Sequence, residues 1–182
     1  MKTLIALLFV TVSAHAKMIV APDGRFELAI ESNSITLTDA KTATPLMPLA
    51  FDTSQDQGID AVWSPDSTRV VVVENTARGS DVIAAYRSGD GKWHKTAESD
   101  RSGAAFIHSV TERVGSKIKS EQRSIAGWID ADTARIKGLL HFADGQNVSY
   151  TYTDSFGDGG QRRTSVAGYD LGAIKSSGYH TE

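Results

Sequence analysis

Apolar and polar residues alternate with period two from Phe26 onward: Phe26, Leu28 and Ile30 stand between Glu27, Ala29 and Glu31, and Ile35 and Leu37 between Ser34, Thr36 and Thr38. Such alternation marks half-buried strands, and Ser32-Asn33 between the runs suits a tight turn, so the segment predicts a hairpin. Pro45 and Pro48 remove ladder donors from 41–57 and limit it to loop or edge strand. The scheme then repeats as Val70 to Val73, a polar loop over Thr76 to Ser80, and Val82 to Tyr86. A short strand at Lys92-Trp93-His94 follows Gly89-Asp90-Gly91, where Asp-Gly supplies the positive φ of a hairpin turn. Four consecutive valines predict a strand covered on both faces and central in its sheet.

Between Gly103 and Lys119 the period lengthens. Ile107, Val110, Val114 and Ile118 are spaced three or four apart, the stripe of an amphipathic helix. Ser102 is its expected N-cap, and Gly115 weakens it by about 1 kcal/mol relative to alanine. A charged connector, Ser120 to Ser124, leads to strands at Ile125 to Ile129, Ala134 to Phe142 and Val148 to Thr153. Ala143-Asp144-Gly145 makes the last two a C-terminal hairpin with Tyr150 and Tyr152 on one face. Val166 and Tyr169 offer an edge strand before a loose tail.

The first residues follow another logic. Lys2, the apolar run Leu4 to Val12 and the small residues of Ser13-Ala14-His15-Ala16 form the three-part pattern of a secretory signal. The run is about half the roughly 20 residues a membrane-spanning helix needs, so residues 1–16 are expected to be cleaved after Ala16. Residues 17–182 are then expected to form a single mainly β domain in the periplasm or outside the cell. The chain has no cysteine, so it has no disulfide framework of the kind small secreted eukaryotic domains use, which favours a bacterial source. The formal net charge is −3, made more negative by loss of Lys2, with no Lys/Arg block. Nucleic acid is therefore not an expected partner, and no later stretch is apolar enough to span a membrane.

Two segments share one pattern: Ala21-Pro22-Asp23-Gly24-Arg25-Phe26, and Trp63-Ser64-Pro65-Asp66-Ser67-Thr68-Arg69-Val70. In each a Pro-Asp turn leads into an apolar strand, and the two aspartates lie 43 positions apart, close to one propeller blade of about 40 to 45 residues. Together they resemble the β-propeller repeats of TolB-type proteins. The resemblance implies structural turn residues at Asp23 and Asp66, and no catalytic role. The expected fold is mainly β: antiparallel blade-like sheets resembling part of a β-propeller, with two blade-like units over about 20–97, one amphipathic helix near 103–119 and strands over about 125–153.

No catalytic, cofactor or metal constellation emerges. Asp154-Ser155-Phe156-Gly157-Asp158-Gly159 begins like a calcium loop, but Phe156 offers no oxygen and Ser165 stands where a bidentate glutamate belongs. His94, His108, His141 and His180 show no paired ligand spacing. The serine-hydrolase pattern Gly-x-Ser-x-Gly is missing, and Ser116-Lys117-Ile118-Lys119 meets Ser-x-x-Lys only formally. Asp130 with Asp132 and Asp56 with Asp60 are carboxylate pairs of the type glycosidases use. Trp63, Trp93 and Trp128 are core or sheet-edge residues, or the lining of a groove. Asn147-Val148-Ser149 forms a glycosylation sequon. The leading expectation is an exported non-catalytic protein that binds a protein or envelope component; the alternative is an exported hydrolase acting on sugar or peptide polymers. N-terminal sequencing of the protein recovered outside the cytoplasm is expected to begin at Lys17.

Overall fold

The computed structural model describes residues 17–31, 34–51, 58–76, 79–96, 101–157 and 162–170. The leader, the Ser32-Asn33 turn, Asp56, His180 and the C-terminal tail lie outside the described residues.

Three four-stranded antiparallel sheets follow one another along the chain. The first joins β1 (Lys17–Val20), β2 (Phe26–Glu31), β3 (Ser34–Asp39) and β4 (Thr44–Phe51) in sequence order, with the proline-bearing β4 at its edge. The second joins β5 (Ile59–Trp63), β6 (Arg69–Thr76), β7 (Gly79–Arg87) and β8 (Trp93–Lys95) in the same manner. Helix α1 (Arg101–Val114) precedes the third sheet, built from β9 (Ile118–Trp128), β10 (Thr133–Phe142), β11 (Asn147–Phe156) and β12 (Arg162–Asp170). Meanders of four antiparallel strands are the unit of a propeller, so the chain is mainly β and blade-like.

The sheets stack through β6. Val70, Val71, Val72 and Val73 are all fully buried, and because strand side chains alternate they enter two different cores. Val70 and Val72 pack with Leu28, Ile35, Leu37 and Trp63 against the first sheet. Val71 and Val73 pack with Ile136, Leu140 and Phe142 against the third. The same core takes Val110 from α1, with Phe106 and Val114 beside it.

The helix is shorter than its stripe suggests. Gly115 adopts φ +68, and its N–H donates to the Thr111 carbonyl at 2.9 Å, so glycine closes the helix as a left-handed cap. Ile118 thereby starts β9, and Ser102 falls inside the first turn of a helix that begins at Arg101. The expected connector 120–124 is also strand: Glu121 and Arg123 pair with Leu140 and Gly138 of β10. With β9 on one side and β12 on the other, the C-terminal hairpin becomes the middle of a third blade.

The two Pro-Asp turns share their backbone hydrogen bonds. Ala21 N–H donates to Phe26 O at 2.8 Å and Gly24 N–H to Ala21 O at 2.9 Å; Ser64 N–H donates to Arg69 O at 2.9 Å and Ser67 N–H to Ser64 O at 3.0 Å. Each aspartate accepts from the backbone two residues on, Asp23 from Arg25 at 2.9 Å and Asp66 from Thr68 at 3.1 Å. Ser67 occupies the Gly24 position at φ +59, a strained angle for a residue with a Cβ. Its buried hydroxyl accepts the Asp23 N–H at 3.0 Å, so the second turn holds the first.

Tryptophans repeat the joint between sheets. Trp63 Nε1 donates to Ile19 O in the first sheet at 3.0 Å, and Trp128 Nε1 donates to Val62 O in the second at 3.1 Å.

Asp23→Ala and Asp66→Ala are both expected to lower the melting midpoint by a few degrees. The loss is comparable to that of a helix cap, about 0.5–2 kcal/mol, and about 1 kcal/mol moves the midpoint by roughly 2–8 °C depending on domain size. Burial opposes the Asp66 carboxylate, but the Ser64 and Thr68 hydrogen bonds hold its pKa below the ordinary 3.8. The Asp66 contribution is therefore complete above pH 3.8 and is lost as pH falls through the folded-state value. Thermal melts across that range check both the size and the sign.

Candidate functional site

The groups with acid–base character gather between the second and third sheets. Glu121 and Arg123, both inward on β9, form a two-point ion pair, with Nε to Oε1 and Nη2 to Oε2 each at 3.0 Å. The Tyr150 hydroxyl hydrogen-bonds the Glu121 carboxylate and accepts from Arg123 Nε at 3.3 Å. Its ring fits because β10 carries glycine opposite: a Cβ on Gly138 would collide with the hydroxyl end of the Tyr150 ring. From β6, Asn75 accepts the Arg123 N–H at 2.9 Å and donates to the Arg123 carbonyl at 3.0 Å, so one side chain satisfies a whole backbone unit of the neighbouring sheet. Ser80 of β7 meets Asn75 Oδ1 and the Glu121 carbonyl.

Further struts cross the same joint. Ile125 N–H donates to Asp60 Oδ2 at 2.8 Å, and Arg69 pairs with Asp132 at 2.6 Å. At the far end Asp154, fully buried, pairs with Arg162 at 2.6 Å, and Arg162 Nη1 donates to the Val82 carbonyl of β7 at 2.9 Å. A buried charge is tolerable only when paired and hydrogen-bonded. These carboxylates and guanidinium groups are consumed by one another and by the joint they bridge.

The electrostatics follow from burial. Burial pushes the Tyr150 phenol above its ordinary range, against the opposing pull of Arg123. Burial likewise pushes Tyr152 up to about 12. Burial alone would lower the Arg123 guanidinium, but the tyrosine hydroxyls beside it and the charge and hydrogen bonds of Glu121 outweigh burial and hold the group charged.

An open depression of about 590 Å³ lies along the third sheet. Outward Gln122, Ser124, Lys137 and Thr151 line it together with Arg123, Tyr150 and Asn75 of the inward network. The register places Arg135 and Lys137 of β10 beside Thr153 and Thr151 of β11, with Ser124 and Gln122 of β9 on the other flank and Arg163 of β12 opposite Ser155. Arg135, Lys137 and Arg163 are exposed, and β9, β10 and β11 send no carboxylate to the outward face, while β12 places Asp170 opposite Ser149 at its margin. The surface is cationic at its centre and rich in hydroxyls and amides, suited to hydrogen bonding an anionic or polar partner.

The residues singled out by sequence are dispersed. His141 Nδ1 meets Asn147 Oδ1 at 2.7 Å across the β10–β11 pair, His108 lies 3.4 Å from Glu112 one turn along α1, and His94 stacks on Tyr86 at 5.3 Å. Ser116 belongs to the turn after α1 and Lys119 to β9. Asp130 accepts from Asp132 N–H at 2.8 Å and shapes the β9–β10 turn. Asp154 and Phe156, expected at a glycine-rich loop, lie inside β11 with both side chains buried. Trp63 and Trp93 meet edge to face at 5.8 Å inside the first joint, and Trp128 packs on Phe156 at 5.8 Å. Asn147 and Ser149 of the sequon are exposed on the outward face.

Sequence reading passed over one serine–histidine contact. Ser88 Oγ lies 3.1 Å from His94 Nε2, but its hydroxyl also bonds Asp90. The acid therefore sits on the serine, whereas a catalytic relay needs it behind the histidine. Arg123, Glu121 and Asn75 carry no signal in the linear sequence either, because Asn75 lies 48 residues from Arg123 and Tyr150 lies 29 from Glu121.

Tyr152 yields a prediction at alkaline pH. Its hydroxyl is buried without a hydrogen-bond partner among the described residues. The unfolded chain releases the phenolic proton near pH 10.0 while the folded chain keeps it to about 12, so stability is complete below 10 and falls as pH rises through that window. Tyr152→Phe is expected to melt within a degree or two of wild type at pH 7 and to lose part of the alkaline slope. Melts at pH 7 and between 10 and 12 check it.

No protein-family model matches the chain, and no curated protein matches its sequence. Among solved structures it is similar to Hsv2 of Kluyveromyces lactis, at 12% identity over 84% of this chain and 46% of that one, with a TM-score of 0.44. It is similar to the WD40 domain of SCAP from fission yeast at 10% identity, over 83% of this chain and 31% of that one, with a TM-score of 0.40. The chain thus spans less than half the length of either structure, and its blade-like fold stands on its own strand order and register.

Proposed function

We propose that this chain is an exported, non-catalytic binding protein, and that the outward face of its third sheet is the surface that meets a protein or envelope component. The observation that carries the reading is the contrast between the two sides of that sheet. Inward, Glu121, Arg123, Tyr150, Asp154 and Arg162 are spent on holding sheets together. Outward, Arg135, Lys137 and Arg163 stand exposed among Ser, Thr and Gln side chains, and Lys137 lines the open depression. An open polar face suits recognition more than turnover, which calls for an enclosed site with convergent polar groups. The cations select a partner with an acidic patch, since complementary charge steers encounter and sets specificity. The overall negative charge of the chain argues against nucleic acid as that partner. Export rests on the leader pattern of residues 1–16, and the periplasm or the external medium is the proposed place of action.

Capture from an envelope extract with wild-type bait and with an Arg135→Glu/Lys137→Glu bait tests the reading. Both positions are exposed, so the variant is expected to melt like wild type while retaining its partner about tenfold less well. Equal retention by the two baits, or turnover of a sugar or peptide polymer by the purified chain, would overturn it.

A further inference from the structure

The outward positions of β11 form a regular track. Ser149, Thr151, Thr153 and Ser155 follow one another at every second residue, which in an extended strand is a repeat of about 6.8 Å. Register gives three of these hydroxyls one cation each as a next-strand neighbour: Lys137 opposite Thr151 and Arg135 opposite Thr153, then Arg163 opposite Ser155. The neighbour on the other flank is neutral at each step: Gly168 at Thr151 and Ser165 at Thr153, and Thr133 at Ser155. Two of the hydroxyls are engaged within the sheet, Ser155 with Thr133 at 3.2 Å and Thr153 with the Ser165 carbonyl at 3.4 Å. The cations, recurring once per step, are therefore the groups that select a ligand.

The track has a limit at each end. Ser149 has Leu139 on one flank and Asp170 on the other, so the fourth step carries an acidic position in place of a cation. Beyond Ser155, Asp130 and Asp132 of the β9–β10 turn are taken up by the turn backbone and by Arg69. Between those limits the outward positions of the sheet hold no carboxylate. Lys137, at the first step, also lines the open depression. A partner chain in extended conformation has the matching repeat, because its alternate side chains fall on one face every 6.8 Å or so. A lipid surface presents its anions in no fixed repeat, so the track favours a peptide.

We infer that the third-sheet face takes an extended acidic peptide segment of its partner, laid along β11, with carboxylates at three alternating positions set against Lys137, Arg135 and Arg163. The inference rests on reading the third-sheet face as the binding surface, and adds the conformation and charge spacing of what it binds. Asp170 sets the length: a fourth carboxylate in the same spacing would come beside it at Ser149, where like charge is unfavourable.

The test is fluorescence anisotropy at low salt, using the chain as the cell produces it and two labelled peptides of one composition. One peptide alternates three glutamates with threonines. Its isomer carries the three glutamates in a row, which in an extended chain turns the middle one to the opposite side. The alternating peptide is expected to bind about threefold tighter or more than its isomer, and to weaken at about 0.5 M salt, where exposed charges are screened. Arg135→Glu/Lys137→Glu is expected to keep the wild-type melt, to weaken binding about tenfold and to erase the difference between the isomers. Arg163→Ala, on another strand, gives a second reading: a loss of about threefold, with one terminal glutamate of the peptide becoming dispensable. Equal binding of the two isomers overturns the inference, as does a preference for vesicles of anionic lipid over either peptide. If neither peptide binds while envelope capture through Arg135 and Lys137 persists, the surface keeps its role and the extended segment falls; if capture fails as well, both readings fall.

Discussion

A strand with no solvent side organises this molecule. Four consecutive valines at 0% exposure can be accommodated only if both faces of β6 are covered, and a strand that buries both faces needs a sheet on each side. The order of the three sheets follows. Odd valines commit to the third sheet and even valines to the first, so a one-residue slip in β6 would exchange the two cores. The neighbours enforce the register: Arg69 reaches the β9–β10 turn from the start of β6, and Asn75 clasps Arg123 near its end.

The two joints are built differently. Between the first and second sheets the contact is aromatic and aliphatic, with Phe26, Trp63 and Trp93 edge to face. Between the second and third it is also apolar in the middle, where Phe142, Tyr152 and Phe156 join the valines, but polar at the margins, where Asp60, Asn75, Glu121 and Arg123 lie. Buried ion pairs add little net stability, but removing one partner costs about 3–5 kcal/mol. The second joint is therefore the more exacting in geometry, and the first the more tolerant of substitution among apolar residues of similar volume.

Local pattern revealed much of this architecture. The β2–β3 and β10–β11 hairpins, the central valine strand, the edge character of β4 and the equivalence of Asp23 and Asp66 all follow from period, proline and turn chemistry. Glu121 and Arg123 defeated the period, because charged residues pointing inward read as a connector until Tyr150 and Asn75 are placed against them. β1 and β5 were missed because each is short and its apolar residues are mixed with Lys17 or Asp60. The helix end was missed because Gly115 was weighed as a defect within the helix, when its positive φ makes it the terminator. The outward cationic face needed the β10–β12 register to be known, which no linear spacing supplies.

The placement of the tryptophans has an optical consequence. The chain has three, and all of them lie at joints: Trp63 and Trp93 between the first two sheets, Trp128 between the second and third. Indole emission moves to longer wavelength as water reaches the ring, so the colour of the protein's own fluorescence gauges how closely its blades are pressed together. With Trp128 replaced by phenylalanine the remaining light comes from the first joint alone, and separation of one pair of sheets can be followed while the other stays shut.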